Sequence, residues 1–415
     1  MREMKDSGIE WIGAIPTTWH TKKMKYISNF IQNKYSSDYG LLPYIGLENI
    51  ASWSGSFIST NSQYDREQSL ICQPEDILFG KLRPYLAKVY MNDRLCCCSN
   101  EFAVIRVNGQ NKRYMWYQLL SHGFIFEIDR STYGTKMPRA NAEFIRNVFV
   151  ALPSEIEQQK IANYLDKMCA EIDAVLEKTR ASIEEYKKLK QAVITQAVTK
   201  GIRGDRPMKD SGSVWFEEIP CNWVMKRIKY LFHIKKDIAG KEGYTVLSIT
   251  QKGIQPKDLS KNEGQIAANY SQYQLLAPGD FAMNHMDLLT GWVDISKYSG
   301  VTSPDYRVFV LDDAEKNDSS YYLYLMQMCY FNRIFYGLGQ GVSGMGRWRL
   351  QADKFLNFPV VVPPVDEQKE IVSYLNEKCK QLDTLIRNKQ QYLTEIENYK
   401  KSLIYEYVTG KKEVV

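Results

Sequence analysis

The sequence lacks the motifs that mark most catalytic sites. It contains no Walker A loop, no Gly-x-Ser-x-Gly elbow, no His-Glu-x-x-His metal helix and no Asn-Pro-Pro-aromatic tetrapeptide of amino-methyltransferases. Of the four histidines, only His285 lies in a predicted loop that suggests ligand contact, and there we expect hydrogen bonding rather than acid–base chemistry. Asp287 and Asp294 are close in sequence, but no further run of metal ligands accompanies them. The sequence therefore predicts neither a catalytic nor a metal site in this chain.

Cysteine pairs and long apolar runs are also missing. The eight cysteines form no CxxC pair, and the run Cys96 to Cys98 has no histidine or second cysteine pair at zinc-site spacing. We therefore predict buried or strand thiols of a cytosolic protein. No apolar run is long enough to span a bilayer, and the start, Met1 to Asp6, lacks the apolar core of a signal peptide. These absences predict a cytoplasmic protein with no membrane partner.

Charge of one sign is in only small excess. The 415 residues carry a net charge of +6, which permits a polyanionic partner without requiring one, because a solvated surface with a few extra lysines would look the same. A chain of this length has room for two to four domains, and its apolar fraction is that of an ordinary soluble protein.

What the sequence does contain is a long helical stretch that occurs twice. The copies run from Ser154 to about Lys200 and from Pro364 to about Gly410, and they align without a gap at a shift of 210 positions. The matched residues include Glu157 and Glu367, Gln158 and Gln368, Tyr164 and Tyr374, Cys169 and Cys379, and Thr199 and Thr409. A gapless match of this length indicates a duplicated structural element.

Both copies show the periodicity of an amphipathic helix, with apolar residues in steps of three and four on one face. That face comprises Ile161, Leu165, Met168, Ile172, Val175, Ile183, Tyr186, Leu189 and Val193 in the first copy, and Ile371, Leu375, Leu382, Leu385, Leu393, Ile396, Tyr399 and Leu403 in the second. We expect a capping box from Ser154 and Glu157, a stop at Gly201 and a length of roughly 65 Å. Because so long a one-sided rod needs a partner, we predict that the two copies pair with each other.

The opening segment is repeated as well. Residues 4–26 recur 204 positions later as residues 208–230, so the chain consists of two tandem halves joined at 201–207. Each half carries an insert of short strand-like runs with one helix, at 114–126 in the first half and at 321–335 in the second. Within the inserts the shift between matched residues changes from 204 to 210, which predicts an insertion of six residues.

Two basic loops in the first insert are candidates for contact with a polyanion. One follows the strand-like run at 76–79 and the other lies at 133–139. Lysine and arginine at loop tips can hold phosphates, arginine can bind a guanine edge, and tyrosine can stack on bases. The candidate side chains are Lys81, Arg83, Tyr85, Tyr133, Lys136 and Arg139.

The second insert has loops at the equivalent places, 284–287 and 340–349. Their candidate side chains are Asn284, His285, Arg347, Trp348 and Arg349. For any one of these residues, a solvated charge or a turn residue is an alternative interpretation. Equivalent basic, glycine-containing loops in both halves favour a binding role.

These features resemble a known family. Two inserts, each followed by Leu-Pro or Pro-Pro, by a Glu-Gln helix start and by a close of Ala-Val-Thr-Lys-Gly or Tyr-Val-Thr-Gly-Lys, look like the specificity subunit of type I restriction-modification enzymes. The resemblance covers essentially the whole chain, and residues 76–86, 134–139 and 279–307 are similar to that family's recognition-domain signatures. The run Asn284-His285-Met286-Asp287 departs from the Lys-Leu-Arg-Pro pattern of the first half, so contacts do not transfer residue by residue between the halves.

The resemblance implies an α+β fold. Two tandem mixed α/β target recognition domains would be separated by two long helices that pair as an antiparallel coiled coil with pseudo-twofold symmetry. The expected boundaries are residues 1–153 for recognition domain 1, 154–201 for the first spacer helix, 202–207 for a linker, 208–363 for recognition domain 2, and 364–415 for the second spacer helix and tail. In such a pair Cys169 and Cys379 would be far apart, and we expect no disulfide between them.

The resemblance also implies a non-catalytic subunit that binds double-stranded DNA with a bipartite target, one recognition domain per half-site. Two modification (methyltransferase) subunits would carry S-adenosylmethionine, and restriction (translocase and endonuclease) subunits would carry ATP and Mg, so this chain would hold no cofactor. Half-sites one helical turn apart are separated by about 34 Å, and a rod of roughly 65 Å can place two reading surfaces at that scale. Helix length would then set the gap between half-sites.

Two other classes of function stay open. A coiled-coil scaffold whose β domains bind proteins, without DNA specificity, also fits the modest charge, and a gel shift with the partner methyltransferase discriminates it. A self-sufficient DNA methyltransferase or nuclease is disfavoured by the missing motifs, and retention of S-adenosylmethionine by the purified chain would revive it.

Overall fold

The computed structural model describes residues 2–60, 66, 68–134, 136–258, 269–341 and 348–414. The chain divides into two compact units: unit 1 comprises Met1–Arg180 and Gln390–Val415, and unit 2 comprises Ala181–Lys389. Neither unit coincides with one half of the sequence, because each contains the start of one long helix and the end of the other.

The elements follow one another in nearly the same order in both halves. The first half contains β1 (Met4–Asp6), β2 (Ala14–Pro16), β3 (His20–Lys23), β4 (Ser28–Ile31), β5 (Tyr44–Ile45), β6 (Leu70–Cys72), β7 (Ile77–Gly80), β8 (Val89–Met91), β9 (Cys96–Cys98), β10 (Phe102–Val107), α1 (Lys112–Leu120), α2 (His122–Arg130), α3 (Ala142–Asn147), β11 (Phe149–Leu152) and α4 (Glu155–Lys200). The second half contains β12 (Met208–Asp210), β13 (Glu218–Pro220), β14 (Val224–Arg227), β15 (Phe232–Lys235), β16 (Leu247–Thr250), β17 (Gly253–Pro256), β18 (Gln274–Leu276), β19 (Phe281–Met283), β20 (Val293–Ile295), β21 (Gly300–Thr302), β22 (Arg307–Leu311), α5 (Ser319–Phe331), α6 (Ile334–Gly337), α7 (Ala352–Asn357), β23 (Pro359–Val362) and α8 (Val365–Val408).

A four-stranded antiparallel sheet lies at the centre of each unit, in the order β4-β10-β7-β8 in unit 1 and β15-β22-β19-β20 in unit 2. Both faces of these sheets are covered. In β10, Ala103 and Ile105 belong to the main core of unit 1, whereas Phe102 and Val104 belong to a smaller core on the other side. Coverage on both faces explains why the residues from Phe102 to Ile105 in β10 are all apolar rather than alternating with polar residues.

The single helix predicted in each insert is two helices. In the first half α1 ends and α2 begins at Ser121, whose hydroxyl accepts a hydrogen bond from Phe124 N at 3.5 Å. In the second half α5 is followed by α6 after Arg333, a non-glycine residue with a φ of 57°. The prediction of one helix was wrong because apolar composition alone does not reveal a cap inside a buried helical stretch.

The long helices α4 and α8 pair antiparallel within each unit, as predicted. In unit 1, Lys400 Nζ lies 2.7 Å from Asp173 Oδ1, and Arg180 Nη2 lies 2.6 Å from Glu397 Oε1. In unit 2, Lys190 Nζ lies 2.7 Å from an oxygen of Asp383. Residue numbers that rise along α4 meet numbers that fall along α8, which establishes the antiparallel direction.

The buried seam of the helices differs from the predicted face at four positions. Val175, Leu189, Leu385 and Tyr399 are exposed. The seam follows alternating steps of four and three through Leu165, Cys169, Ile172, Leu176, Thr179 and Ile183 in α4, with Leu375, Cys379 and Leu382 in α8. This is the 3.5-residue repeat of a coiled coil. The prediction selected apolar neighbours one residue away from seam positions such as Leu176. Among the described residues, no helix is both long and apolar enough to cross a membrane.

A tryptophan–glutamate contact joins the opening segment to the start of the long helix in both units. Trp19 Nε1 donates to Glu157 at 3.0 Å in unit 1, and Trp223 Nε1 donates to Glu367 at 2.9 Å in unit 2. An arginine pairs with each carboxylate, Arg2 in unit 1 and Arg206 in unit 2. Ser154 Oγ does accept from Glu157 N at 3.4 Å. The capping-box prediction was wrong in its second part, because the carboxylate of Glu157 binds the opening segment instead.

The Glu-Gln helix start also fixes the first helix of each recognition insert. Gln158 Oε1 accepts a hydrogen bond from Asn111 N at 2.9 Å, and Gln368 Oε1 accepts one from Asp318 N at 2.8 Å. Asn111 and Asp318 are therefore equivalent at a shift of 207. The predicted insertion of six residues is thus two insertions of three, one before this cap and one in the loop that precedes Arg349.

Most cysteines fit the prediction of buried thiols. All eight are free, and seven are buried. Cys221 is the exception, because it lies exposed in the turn between β13 and β14. The backbone carbonyl of Cys221 accepts a hydrogen bond from Lys209 Nζ at 2.9 Å.

Candidate nucleic-acid interface

In unit 1 the structure brings the two predicted loops side by side. The segment after β7 lies along the segment before α3, since Arg83 N donates to Pro138 O at 2.7 Å and Ala140 N donates to Lys81 O at 2.9 Å. Lys81 N in turn donates to Glu101 O at 2.8 Å, which ties the pair to the start of β10. We call the two segments joined by these backbone hydrogen bonds, 81–83 and 138–140, the backbone frame. Lys81, Arg83 and Arg139 are neighbours on it.

The tip of the second loop in unit 1 is exposed. Arg139 N donates to Tyr133 O at 3.2 Å, and the chain turns between them through Gly134, which has a φ of 92°. Tyr133 is 64% exposed and Lys136 is exposed as well. Gly134 suits this tip because a side chain at positive φ would be strained. The loop presents an aromatic ring and an ammonium group to solvent.

One acid partly neutralises the cations of unit 1. Glu101 forms an ion pair with Arg139. Lys81 is half-buried, and burial lowers its pKa, an effect that nearby Glu101 opposes and Arg139 reinforces. The guanidinium of Arg139 is thus held in place by a carboxylate of its own unit before any ligand arrives.

Tyr85 lies apart from this cation cluster. It sits in the 3-10 turn Pro84–Leu86, between Arg83 and Ala87, both of which have positive φ values of 50° and 46°. Its ring lines a recess of about 520 Å³ together with Trp53, His122 and Phe126. Non-glycine residues at positive φ carry strain, so the turn is held in a costly conformation.

Unit 2 uses the same backbone frame. Leu350 N donates to His285 O at 2.9 Å, and these residues are the counterparts of Ala140 and Lys81. Arg349 exchanges two backbone hydrogen bonds with Gln340, at 2.9 and 3.0 Å, as Arg139 does with Tyr133. Arg349 therefore occupies the place of Arg139. The other predicted arginine, Arg347, lies outside the described residues.

His285 is held neutral in unit 2. Its Nδ1 is buried and has no hydrogen-bond partner among the described residues. Burial, with the charges of Arg307 and Arg349, lowers the pKa of His285 to about 4. The ring therefore offers an uncharged donor or acceptor at neutral pH, with one ring nitrogen unused.

Arg307 is a functional candidate that sequence reasoning missed. It is 6% exposed, donates to Leu350 O at 2.9 Å and lies 5.0 Å from the ring centre of Phe355, and burial lowers its pKa to about 10. In the described part of the chain, no carboxylate forms an ion pair with Arg307. It lines a recess of about 340 Å³ whose other polar or charged members include Lys236, Gln274, His285 and Arg349. The available signal was an arginine at the head of the apolar run 307–311.

Two predicted residues of unit 2 shape the site rather than present free groups. Asn284 Oδ1 accepts hydrogen bonds from Met286 N and Asp287 N, each at 3.2 Å, and so closes its own turn. Trp348 Nε1 donates to Tyr336 O at 2.7 Å, and its ring lies 5.6 Å from that of Tyr336. Both side chains are already engaged locally.

The acids considered for a metal site have other partners. Asp287 Oδ1 accepts from Leu289 N at 3.0 Å and Thr290 N at 2.9 Å, and Asp294 Oδ2 accepts from Ile254 N at 3.0 Å. Among the described residues, no group of three or more histidines, cysteines and acids is arranged to hold a metal ion.

Comparison with known proteins gives a family match. A family model for the "Type I restriction modification DNA specificity domain" matches residues 16–185 and again residues 220–398, well over half of the chain. The MjaVIII type I restriction enzyme specificity subunit of Methanocaldococcus jannaschii is 22% identical over an alignment 335 positions long, gaps included, which covers 75% of this chain and 73% of that protein. The EcoBI specificity subunit of Escherichia coli is 19% identical over an alignment 454 positions long, gaps included, which covers 99% of this chain and 90% of that protein.

Solved structures share the fold. A chain from "Structural basis underlying complex assembly and conformational transition of the type I R-M system" has a TM-score of 0.72 and 15% identity, and the match covers 96% of this chain and 99% of that chain. The HsdS subunit from Thermoanaerobacter tengcongensis has a TM-score of 0.50 and 15% identity, covering 96% and 98%. At these identities the likenesses show a shared fold.

Proposed function

We propose that this chain, which belongs to the type I restriction-modification DNA specificity family, selects a bipartite duplex DNA target, with unit 1 contacting one half-site and unit 2 the other. The chain is the DNA-specificity component of such a system and not its catalyst. One observation carries the division into half-sites: the same backbone frame occurs in both units and presents different side chains. Two domains that bind different base sequences need the same backbone arrangement with different side chains on it, and this is what the two units have.

In unit 1, the exposed cations Lys136 and Arg139 with Lys81 and Arg83 contact the first half-site. Arg139 is the candidate for a base edge, since guanidinium binds guanine O6 and N7 in a bidentate way, and the lysines suit phosphates. The exposed rings of Tyr85 and Tyr133 offer apolar contact or stacking. Glu101 forms an ion pair with Arg139, so its carboxylate competes with DNA for the guanidinium.

In unit 2, His285 and Arg349, together with Arg347, contact the second half-site. Neutral His285 can accept from or donate to a base, because its uncharged ring lines the recess that also includes Arg307 and Arg349. Asn284 and Trp348 act here mainly by holding their loops, in line with their local hydrogen bonds. The recognition domains are residues 1–153 and 208–363, with 202–207 as linker, and the helices of 154–201 and 364–415 are the spacer.

The spacer helices set the gap between half-sites. Each residue adds about 1.5 Å of helix, so a change in helix length alters the spacing at which both readers can bind. The seam of alternating steps in α4 and α8 supports a stiff element suited to this task.

The partners proposed for this chain are double-stranded DNA, two modification subunits carrying S-adenosylmethionine, and restriction subunits carrying ATP and Mg, in the cytoplasm. Specificity subunits of other type I enzymes are the relatives that support this assembly. Family membership removes the support for a coiled-coil scaffold without DNA specificity and for a self-sufficient methyltransferase.

Methylome sequencing of a host that expresses this chain with its modification subunit tests the proposal. We expect one bipartite motif with a fixed gap, methylated on both strands. Methylation at a single continuous motif would contradict the assignment of one half-site to each unit.

A one-turn deletion tests the spacer role separately. Removing four residues from the middle of α4 should change the preferred gap while leaving both half-site sequences unchanged. An unchanged gap in the methylome of the deletion variant would falsify the spacer hypothesis, and the two half-site sequences serve as the internal control.

A further inference from the structure

The opening segments, residues 4–26 and 208–230, contain residues that are identical in both halves, and most of these have a visible role in folding. Lys5 Nζ donates to Thr17 O at 2.8 Å, and Lys209 repeats the contact with Cys221 O at 2.9 Å. Asp6 accepts from Gly8 N at 3.0 Å, as Asp210 does from Gly212 N at 2.9 Å. The tryptophans that bind Glu157 and Glu367 are likewise repeated. Identity at these positions follows from the shared fold.

Three identical residues have no such role. Lys22, Lys25 and Tyr26 in unit 1 match Lys226, Lys229 and Tyr230 in unit 2, and we call each trio a Lys-Tyr patch. All six side chains are exposed, Tyr26 at 71% and Tyr230 at 68%. Across the described ranges, none of them forms a hydrogen bond or an ion pair. Lys25 Nζ lies 5.4 Å from the ring centre of Tyr26, and Lys229 Nζ lies 5.3 Å from that of Tyr230.

The same segments differ at other exposed positions, which makes the retained trio informative. Thr17 corresponds to Cys221, Thr18 to Asn222 and His20 to Val224. Exposed lysines and tyrosines add little to stability, so the fold does not require this identity. A ligand that is the same for both units would require the same residues in both Lys-Tyr patches. Bases differ between half-sites, whereas phosphates are common to every duplex.

The chemistry of the patch suits phosphates. The intervening position is also cationic, Lys23 in unit 1 and Arg227 in unit 2, so each unit presents three cations within four residues. The stretches 17–27 and 221–231 contain no acid. Lys226 interacts electrostatically with Asp313, but the carboxylate of Asp313 forms its ion pair with Lys316, at 2.8 Å. Ammonium groups and a tyrosine hydroxyl are the donors that proteins use on the DNA backbone.

The position of the patch connects it with the candidate interface. The 3-10 turn Met24–Tyr26 packs against α3, which begins three residues after Arg139. The 3-10 turn Ile228–Tyr230 packs against α7, which begins three residues after Arg349. In each unit one backbone hydrogen bond joins the 3-10 turn to the residue after the helix. Met24 N donates to Val148 O and Ile228 N donates to Phe358 O, each at 3.0 Å.

We propose that the Lys-Tyr patch of each unit binds DNA phosphates beside its half-site and supplies affinity that does not depend on base sequence. The inference rests on the proposed function and extends it, because it assigns phosphate contacts to residues outside the recognition inserts. It explains why these residues stayed identical while the loops carrying Lys81 and His285 did not.

The test uses the complex of this chain with its methyltransferase subunit and two duplexes, one with the target found by methylome sequencing and one with both half-sites scrambled. Binding is followed by fluorescence anisotropy over a series of KCl concentrations. The variant Lys25→Ala/Lys229→Ala removes one lysine per unit. Lys178→Ala/Lys380→Ala removes the same charge from exposed helix positions and serves as the matched control.

We expect the Lys25→Ala/Lys229→Ala variant to lower the magnitude of the slope of log K against log salt by about 2, because one ammonium–phosphate pair is removed in each unit. Affinity at fixed salt should fall about ten-fold on both duplexes alike, so that the ratio between them is unchanged. Tyr26→Phe/Tyr230→Phe should weaken both duplexes by a few-fold without changing the slope, because only a neutral donor is removed.

A slope equal to that of the Lys178→Ala/Lys380→Ala control overturns the inference. So does loss of the methyltransferase subunit from the variant complex on size exclusion, which would assign the patch to a protein contact. Equal binding of the two duplexes by the unaltered complex overturns the proposed function instead, and that result is read from the wild-type data alone.

Discussion

The reading surfaces of the two units differ in charge although their backbones agree. In unit 1 the arginine at the frame, Arg139, is paired with Glu101. In unit 2 its counterpart Arg349 has no ion-pair partner among the described residues and faces neutral His285. The comparison teaches that backbone hydrogen bonds hold the loops in place, so the charges on them are free to change.

The largest effect concerns the buried carboxylate that joins the opening segment to each helix. Glu367 is 2% exposed. Burial raises its pKa, but the hydrogen bonds from Trp223 and Arg206 outweigh that effect and lower it. The side chain of Glu157 is 22% exposed. Glu367→Ala should destabilise unit 2 by about 3 kcal/mol, because it leaves Arg206, whose side chain is only 14% exposed, without its ion pair. Glu157→Ala should cost unit 1 less. Hydrogen exchange of β14 and β23 compared with β3 and β11 measures both, and equal protection losses would contradict the difference.

Next in size is the loss of the frame arginines. Arg349→Ala should weaken binding to the target duplex by about 1–3 kcal/mol and relax specificity in the second half-site. Arg139→Ala should cost less, because Arg139 gives up its ion pair with Glu101 when it contacts DNA, and this reduces the net free energy that the arginine contributes. Anisotropy titrations at one salt concentration compare the two, and an unchanged affinity and salt slope for Arg139→Ala would count against its DNA role.

The pH response should separate the units further. The pKa of His285 is about 4 in the folded chain, below the 6.5 of an unperturbed histidine. The unfolded chain therefore takes up a proton first, and stability is lost as pH falls from 6.5 towards 4, while nothing changes above that range. The loss should reach about 1–2 kcal/mol, allowing for the partial exposure of the ring. His285→Gln should show a smaller fall in the thermal midpoint of unit 2 between pH 7 and pH 5 than the wild type.

The smallest effect should come from Glu101. Glu101→Gln keeps the size of the side chain and removes the charge that competes with DNA for Arg139, so affinity should rise by a few-fold on target and scrambled duplexes alike. The salt slope should steepen slightly. Weaker binding to the target duplex would show instead that the carboxylate is needed to orient Arg139.

The sequence predicted the repeated architecture well, because duplication leaves matched residues such as Glu157 and Glu367 at fixed shifts. The sequence did not predict which of two adjacent apolar residues on the long helices is buried. Val175 and Leu176 are both apolar, and only the 3.5-residue seam decides which is buried. The helix break at Ser121 depends on a local cap that apolar composition conceals.

The candidate site was predicted in part. Lys81, Arg83 and Arg139 do share one frame, yet their pairing partner Glu101 could be found only from the register of β7 against β10. Arg307 was missed because an arginine at a strand end reads as a solvated charge, and only packing against Phe355 reveals its burial. Strand register and packing are tertiary properties that one sequence does not display.

The discontinuity of unit 1 has a consequence for synthesis. The buried hydroxyl of Tyr114 donates to Val408 O at 3.0 Å, and the main core of unit 1 includes Leu403, Ile404 and Tyr407. Unit 2 is one continuous segment, Ala181–Lys389. As the chain leaves the ribosome, unit 2 has all its residues before unit 1 does. The amino-terminal unit is therefore completed after unit 2. The core formed by residues 1–180 stays incomplete until residues 390–415 have been synthesised.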